Sequence, residues 1–135
     1  MPLKANDTDG AVTRKRLESY VAATEGVTEV AVADAATTLT AAQLLSSKLF
    51  SATPTAARTF TTATAAQIVA ALTDEVTGTS FEFTIINKAA DTHAITLAGG
   101  SDVSAGAGSL VVAAASSGTF LGVVQSDSTV KLYRK

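Results

Sequence analysis

The chain has 135 residues, with ten Lys and Arg against twelve Asp and Glu, and no Cys. This is one domain's length, with enough chain for a real core. The lack of Cys excludes disulfides, thiolate metal sites and cysteine nucleophiles, and a net charge of −2 supplies no field for nucleic acid or an anionic membrane.

Residues 1–26 read as an N-terminal arm, extended or carrying one short helix. Met1 to Asp7 has no apolar stretch of the kind that opens a secretory signal. Asn6, Asp7, Asp9 and Gly10 are loop formers. From Thr13 to Thr24 a weak helical period places Leu17, Tyr20, Val21 and Thr24 on one face, but Arg14, Lys15 and Arg16 at its start oppose the helix macrodipole.

Residues 27–135 read as a single β-sandwich domain. Val27 to Val32 alternates like a strand, and Thr37 to Leu39 is a second short one. Thr37-Thr38-Leu39-Thr40-Ala41-Ala42-Gln43-Leu44-Leu45 returns 24 residues later as Thr61-Thr62-Ala63-Thr64-Ala65-Ala66-Gln67-Ile68-Val69. Each copy holds Thr-x-x-Gln before an apolar pair. That is a capping box, in which the Thr hydroxyl accepts from the backbone N–H three residues on and the Gln side chain reaches back. The repeat therefore predicts two strand-to-helix corners, with helices over Ala41–Leu49 and Ala65–Leu72. Two copies are too few for a solenoid, which needs three or more. Ser51 to Thr55 reads as a loop around Pro54, and Arg58–Thr62 as a strand. Asp74 to Thr79 reads as a turn.

From Phe81 the period becomes two. Phe81, Phe83 and Ile85 alternate with Glu82, Thr84 and Ile86. Asn87 to Asp91 has the length of a hairpin loop, and Thr92 to Leu97 is a further strand. Gly99 to Gly108 reads as a long loop rich in Gly and Ser. Leu110–Ala113, Gly118–Gln125 and Thr129–Tyr133 complete the sheet, with a tight turn at Ser126–Ser128. Several late strands are apolar on both faces, as with Leu110 beside Val111 and Val123 beside Val124. Either two packed sheets or a sheet covered by the helices would account for this. The expectation is seven or eight strands around a thin core, since the apolar share is mostly Ala and Val, with five Phe and no Trp.

No catalytic constellation stands out. His93 is the single histidine, and a metal or triad site needs convergent partners that it lacks. Asp74-Glu75 is an acidic pair without a second carboxylate across a cleft. The Gly99-Gly100 and Gly106–Gly108 stretches lack the Lys-Ser/Thr of a phosphate loop and lead into strands. Asp102 lacks the spaced acids of a calcium loop. The reading is non-enzymatic, with no catalytic, cofactor or metal residues and no cofactor. The basic clusters are Lys4 with Arg14, Lys15 and Arg16 near the start, and Lys131, Arg134 and Lys135 at the end. Aromatics are not interleaved with them as nucleic-acid binding would favour.

Read together, Thr53 to Thr61, Ser80 to Asn87, the Ile95-Thr96-Leu97 strand, the Gly-rich loop, Ser117 to Phe120 and Val130 to Tyr133 resemble small virion proteins of tailed bacteriophages. The resemblance is to capsid decoration (cement) proteins and head-fibre modules, over residues 37–135. It implies a structural protein on the outer face of the capsid that stabilises the mature shell. Its partners would be the major capsid protein and itself, as a homotrimer or alternatively a homodimer, with no nucleic acid and no membrane. The chain departs from the lambda-type decoration pattern in its long helical first half. A jelly-roll-like or related antiparallel sandwich is therefore the expected fold. Lys4, Arg14, Lys15 and Arg16 would meet acidic capsid groups. The alternative is a head-fibre or tail-fibre module presenting a receptor- or carbohydrate-binding surface. Sugar sites stack aromatics, and here Tyr20 and Tyr133 are the two tyrosines.

Overall fold

The computed structural model describes residues 27–72 and 77–135. Among the described residues ten strands form two sheets. In chain order they are β1 (Thr28–Ala31), β2 (Thr37–Leu39), β3 (Lys48–Ala52), β4 (Arg58–Thr62), β5 (Ser80–Asn87), β6 (Ile95–Ala98), β7 (Val103–Ala105), β8 (Val111–Val112), β9 (Ser116–Ser126) and β10 (Thr129–Arg134). A π-helical turn, Gln43–Ser47, precedes β3, and the helix α1, Ala65–Ala71, follows β4. The larger sheet has the order β1-β3-β5-β9-β10-β7 and the smaller β2-β4-β6-β8.

The chain alternates between the sheets from β1 to β9. It therefore coils: β1, β3 and β5 lie parallel in one sheet, and β2, β4 and β6 lie parallel in the other. Val30 sits beside Phe50, which sits beside Ile85. Thr37 sits beside Phe60, which sits beside Leu97. Only the second half turns antiparallel, through β5–β9, β9–β10 and β6–β8. The fold is mainly β and two-layered as expected, but the antiparallel expectation needs correction. Among the described residues the sheets are mixed, with β7 also parallel to β10.

The reason lies at the repeated corners. Both capping boxes form: Thr40 Oγ1 accepts from Gln43 N–H at 3.1 Å while Gln43 Oε1 accepts from Thr40 N–H at 3.0 Å, and Thr64 and Gln67 do the same at 3.2 and 3.0 Å. Each box halts a strand of the smaller sheet and sends the chain back to the larger one. Because β2 and β4 are parallel, the two corners fall at the same end of the sandwich. The repeat is thus one turn of a parallel coil. Its strands align at an offset of 23, since Thr38 pairs with Thr61; Ala63 is the extra residue that makes the caps 24 apart.

The two corners end differently. The second is the helix expected over Ala65–Leu72. The first is one π-turn, not a helix to Leu49. Lys48, in the left-handed region at φ 65°, ends it and starts β3. The segment from Lys48 to Ala52 is strand because it fills the place between β1 and β5. Likewise Asn87 to Ala94 is not a hairpin loop: β6 joins β4 in the other sheet. The Gly-rich segment contains the short strand β7. Among the described residues, Ser126–Ser128 is the one hairpin turn, with Ser126 Oγ within 2.8 Å of Thr129 Oγ1.

The core lies between the layers. All five Phe are buried. Phe83 is their hub, edge-on to Phe50 at 6.1 Å, stacked on Phe81 at 6.2 Å and on Phe120 at 5.6 Å. The inward positions of β9 read Gly118, Phe120, Gly122. A Cβ at Gly122 would stand 2.3 Å from the Phe81 ring, so a small residue is required beside a large one. Phe60, Ile95, Leu97 and Val112 supply the facing layer, and Leu44, Ile68 and Val69 plug the corner end. Burying such side chains contributes roughly 1.5–3 kcal/mol each.

Candidate interaction surface

The polar side chains that carry chemistry elsewhere serve here as ties between strands. Asn87, at the end of β5, is 1 % exposed. Its Nδ2 donates to the His93 carbonyl at 2.8 Å and to the Val112 carbonyl at 3.0 Å, and its Oδ1 accepts from Ala89 N–H at 3.0 Å. One amide thereby stitches the larger sheet to β8 of the smaller. His93 contributes its carbonyl to this tie. Gly99 and Gly100 also belong to packing: a Cβ on Gly100 would lie 2.6 Å from the Thr62 carbonyl oxygen. Ser101 in this loop accepts from Ala65 N–H at 2.9 Å, so the loop caps α1. Among the described residues no group of three His, Cys, Asp or Glu is placed to hold a metal ion. Asp74 and Glu75 lie outside the described residues.

Arg134, partly buried, is also a tie. Its guanidinium lies over the Phe120 ring at 5.3 Å and donates to the carbonyls of Ser109 at 3.1 Å and Val111 at 2.9 Å. It ties β10 to the segment that leads into β8. Lys135 pairs with Glu82. Of the C-terminal basic cluster, Lys131 makes no ion pair with a described residue, and Arg134 is held by carbonyls and a ring instead of a carboxylate. Lys4, Arg14, Lys15 and Arg16, expected to contact a partner, lie outside the described residues.

Asp34 clamps two connections together. Its carboxylate accepts from Arg58 Nε at 2.7 Å and from Thr55 N–H at 3.2 Å, and also from the Thr55 hydroxyl. The Arg58 guanidinium, then the Thr55 donors, hold its pKa well below the usual carboxylate range. The unfolded chain therefore binds more protons in acid. The clamp's contribution is full above the unfolded value of about 3.9 and is lost as pH falls through the lower folded one. Asp34→Asn is expected to melt below the parent at neutral pH, with the gap shrinking steadily from about pH 4 downward. Parallel thermal melts across that range check this, and a gap that stays constant into strong acid rejects the clamp.

What remains for contact is a face. On the outer side of the larger sheet, register sets Leu49, Thr84 and Thr119 in one row and Glu82, Leu121 and Tyr133 in the next. Ile86 and Val123 flank these rows. All but Glu82 are partly buried, and all keep contact with solvent. A solvated sheet face normally alternates to polar side chains; the centre of this one is apolar and threonine. Glu29, whose carboxylate accepts from Ser51 Oγ and from Lys88 Nζ at 3.1 Å, sits at its β1 flank. The Ser51 hydroxyl, then Lys88, lower its pKa. Lys131 and Lys135 stand on the β10 flank. A groove of about 250 Å³ borders the face, lined by Val27, Lys48, Leu49, Glu82, Phe83 and Thr84. Its one carboxylate, Glu82, is engaged by Lys135.

The face was foreshadowed in the sequence by strands apolar on both sides. Asn87 and Asp34 were missed, since their partners lie in other strands and loops. No protein-family model matches the chain, and neither a curated protein nor a solved structure does.

Proposed function

We propose that this chain is a non-enzymatic virion structural protein that binds the outer surface of a bacteriophage capsid and stabilises the mature shell. The observation that supports this reading is the outer face of the larger sheet, broad, nearly neutral and apolar at its centre. Such a face suits a macromolecular surface more than a small substrate. The conversion of Asn87, Asp34 and Arg134 into structural ties fits the same reading. Decoration stabilises by linkage: a protein that binds the assembled lattice and not the free subunit adds its binding free energy to the shell, and many weak symmetric contacts sum. Self-association as a homotrimer or homodimer belongs to the proposal. So does a jelly-roll-like form, which the two-layered shape supports and the parallel strand order does not. Lys4, Arg14, Lys15 and Arg16 would add contacts to acidic capsid groups.

The alternative, a head- or tail-fibre module, is favoured by one feature. A parallel coil extends by repetition, as fibres do. Co-sedimentation and imaging with expanded empty capsids separates the two. Saturable density at fixed sites on the shell is expected, with weaker occupancy after removal of residues 1–16. Binding only to fibres or cells rejects the capsid reading.

A further inference from the structure

We propose that the outer face of the larger sheet receives a second copy of this chain, packed face to face about a two-fold axis parallel to the strands. This rests on the reading above as a contact protein and assigns its main face to self-association. Three features of the face point there.

The first is charge. Acids stand toward one flank, Glu29 on β1 and Glu82 on β5, and lysines toward the other, Lys131 on β10 and Lys135 just after it. A two-fold along the strands lays the lysine flank of each copy over the acidic flank of the other. Lys131, which makes no ion pair with a described residue, then comes nearest Glu82 of the other copy, one row away in the register. Glu29 and Glu82 are each about half exposed and can accept a second cation. The isologous arrangement repeats each such contact twice.

The second is the centre. Strands β5 and β9 are the middle pair of the six, so the axis runs between them. Thr84 Oγ1 and Thr119 Oγ1, 3.0 Å apart, straddle it. Two such hydroxyl pairs meet at the axis and satisfy one another, with Leu121, Val123 and Ile86 around them.

The third is size and direction. Strand spacing and rise give the face an area of roughly 550 Å², so a dimer buries roughly 1,100 Å² in total, just above the about 1,000 Å² expected of a specific contact. That area fits a reversible dimer. An axis along the strands also turns the same strand ends of both copies the same way. The chain reaches β1 at Val27, at the end where both capped corners lie, so the two copies present Val27 on the same side.

Sedimentation equilibrium of the full chain from micromolar to millimolar concentration tests this. A concentration-dependent dimer is expected. Leu121→Glu is expected to raise the dimer Kd by at least roughly tenfold, a loss of about 1.4 kcal/mol, and Lys131→Glu to weaken it less and to flatten its salt dependence. Both positions lie on the outer face, and a thermal melt of each variant confirms that it is folded. A chain that stays monomeric throughout, a trimer, or a dimer indifferent to Leu121→Glu overturns the proposal. Capsid binding is read separately. A monomer that still decorates shells overturns only the dimer, and a dimer that binds no shell overturns only the capsid reading.

Discussion

Asn87→Asp is expected to destabilise the protein at pH 7 by roughly 3 kcal/mol or more. The amide nitrogen donates to two carbonyls, those of His93 and Val112, from a site with almost no solvent contact. Replacing it with oxygen removes both donors and sets a carboxylate against two carbonyl oxygens. Each buried group left unpaired costs about 1–3 kcal/mol, and more when charged. The variant should also respond to pH in the direction opposite to the Asp34 clamp. Burial and the two carbonyls disfavour its charged form, so its folded pKa lies above the unfolded value of about 3.9. The folded variant then binds more protons than the unfolded chain. The deficit relative to the parent is smallest below the unfolded value and grows as pH rises through the folded one. Asn87→Leu has no such titration and should be uniformly unstable. Urea unfolding of both variants at acidic and neutral pH checks the pattern. Equal deficits of Asn87→Asp at both pH values would sink the assignment of those two bonds.

Asn87 also shows where the sequence stops being readable. At the end of an alternating strand and before Lys-Ala-Ala-Asp, an Asn reads as a turn former, and a hairpin follows from that. The residue does end a strand. Its side chain reaches His93 and Val112, the second 25 positions away, and no local pattern encodes that reach. Alternation in Ser80–Asn87 tells which side chains face inward, and all of Phe81, Phe83 and Ile85 do. It does not tell which strand lies alongside. Parallel and antiparallel neighbours accept the same alternation, so the coil of the first half was invisible even though its turn was visible. The Thr-x-x-Gln repeat was legible because a capping box is a local hydrogen-bond device, closed within four residues. Its consequence, two corners at one end and parallel strands between, is a property of the whole chain.

Lys48–Ala52 failed for a related reason. After a capping box, Ala, Leu and Ser continue a helix as readily as they end one, and only competition for the space between β1 and β5 decides the matter. The apolar outer face of the larger sheet was partly legible, in strands with apolar residues on both sides. The basic residues Lys4, Arg14, Lys15 and Arg16 lie outside the described residues, and the clamp at Asp34 joins groups 21 and 24 residues apart.

Phe83→Ala is expected to cost about 3–5 kcal/mol, a large part of the roughly 5–15 kcal/mol that holds a domain folded. Other core positions have apolar neighbours, but among the described residues Phe83 is the one that touches three further rings. It meets Phe50 edge-on, and Phe81 and Phe120 in stacks. These rings come from β3, β5 and β9, so the loss falls on three adjacent strands of the larger sheet. The site also has little means to collapse. Gly122 already leaves the space that the Phe81 ring fills, and Phe120 is fixed on its far side by Arg134. A rigid surround keeps the cavity open, which puts the cost in the upper part of the range for such truncations. Phe83→Leu retains most of the volume and should cost only about 1–1.5 kcal/mol. For a chain of this length the alanine variant should melt roughly 15 °C below the parent. Urea titrations with unchanged m-values would place the loss in the folded core. If Phe83→Ala were no worse than Phe83→Leu, the four rings would not be acting as one packed unit, and the larger sheet would have to draw its stability from the β9–β10 hairpin and the corner plug of Leu44, Ile68 and Val69.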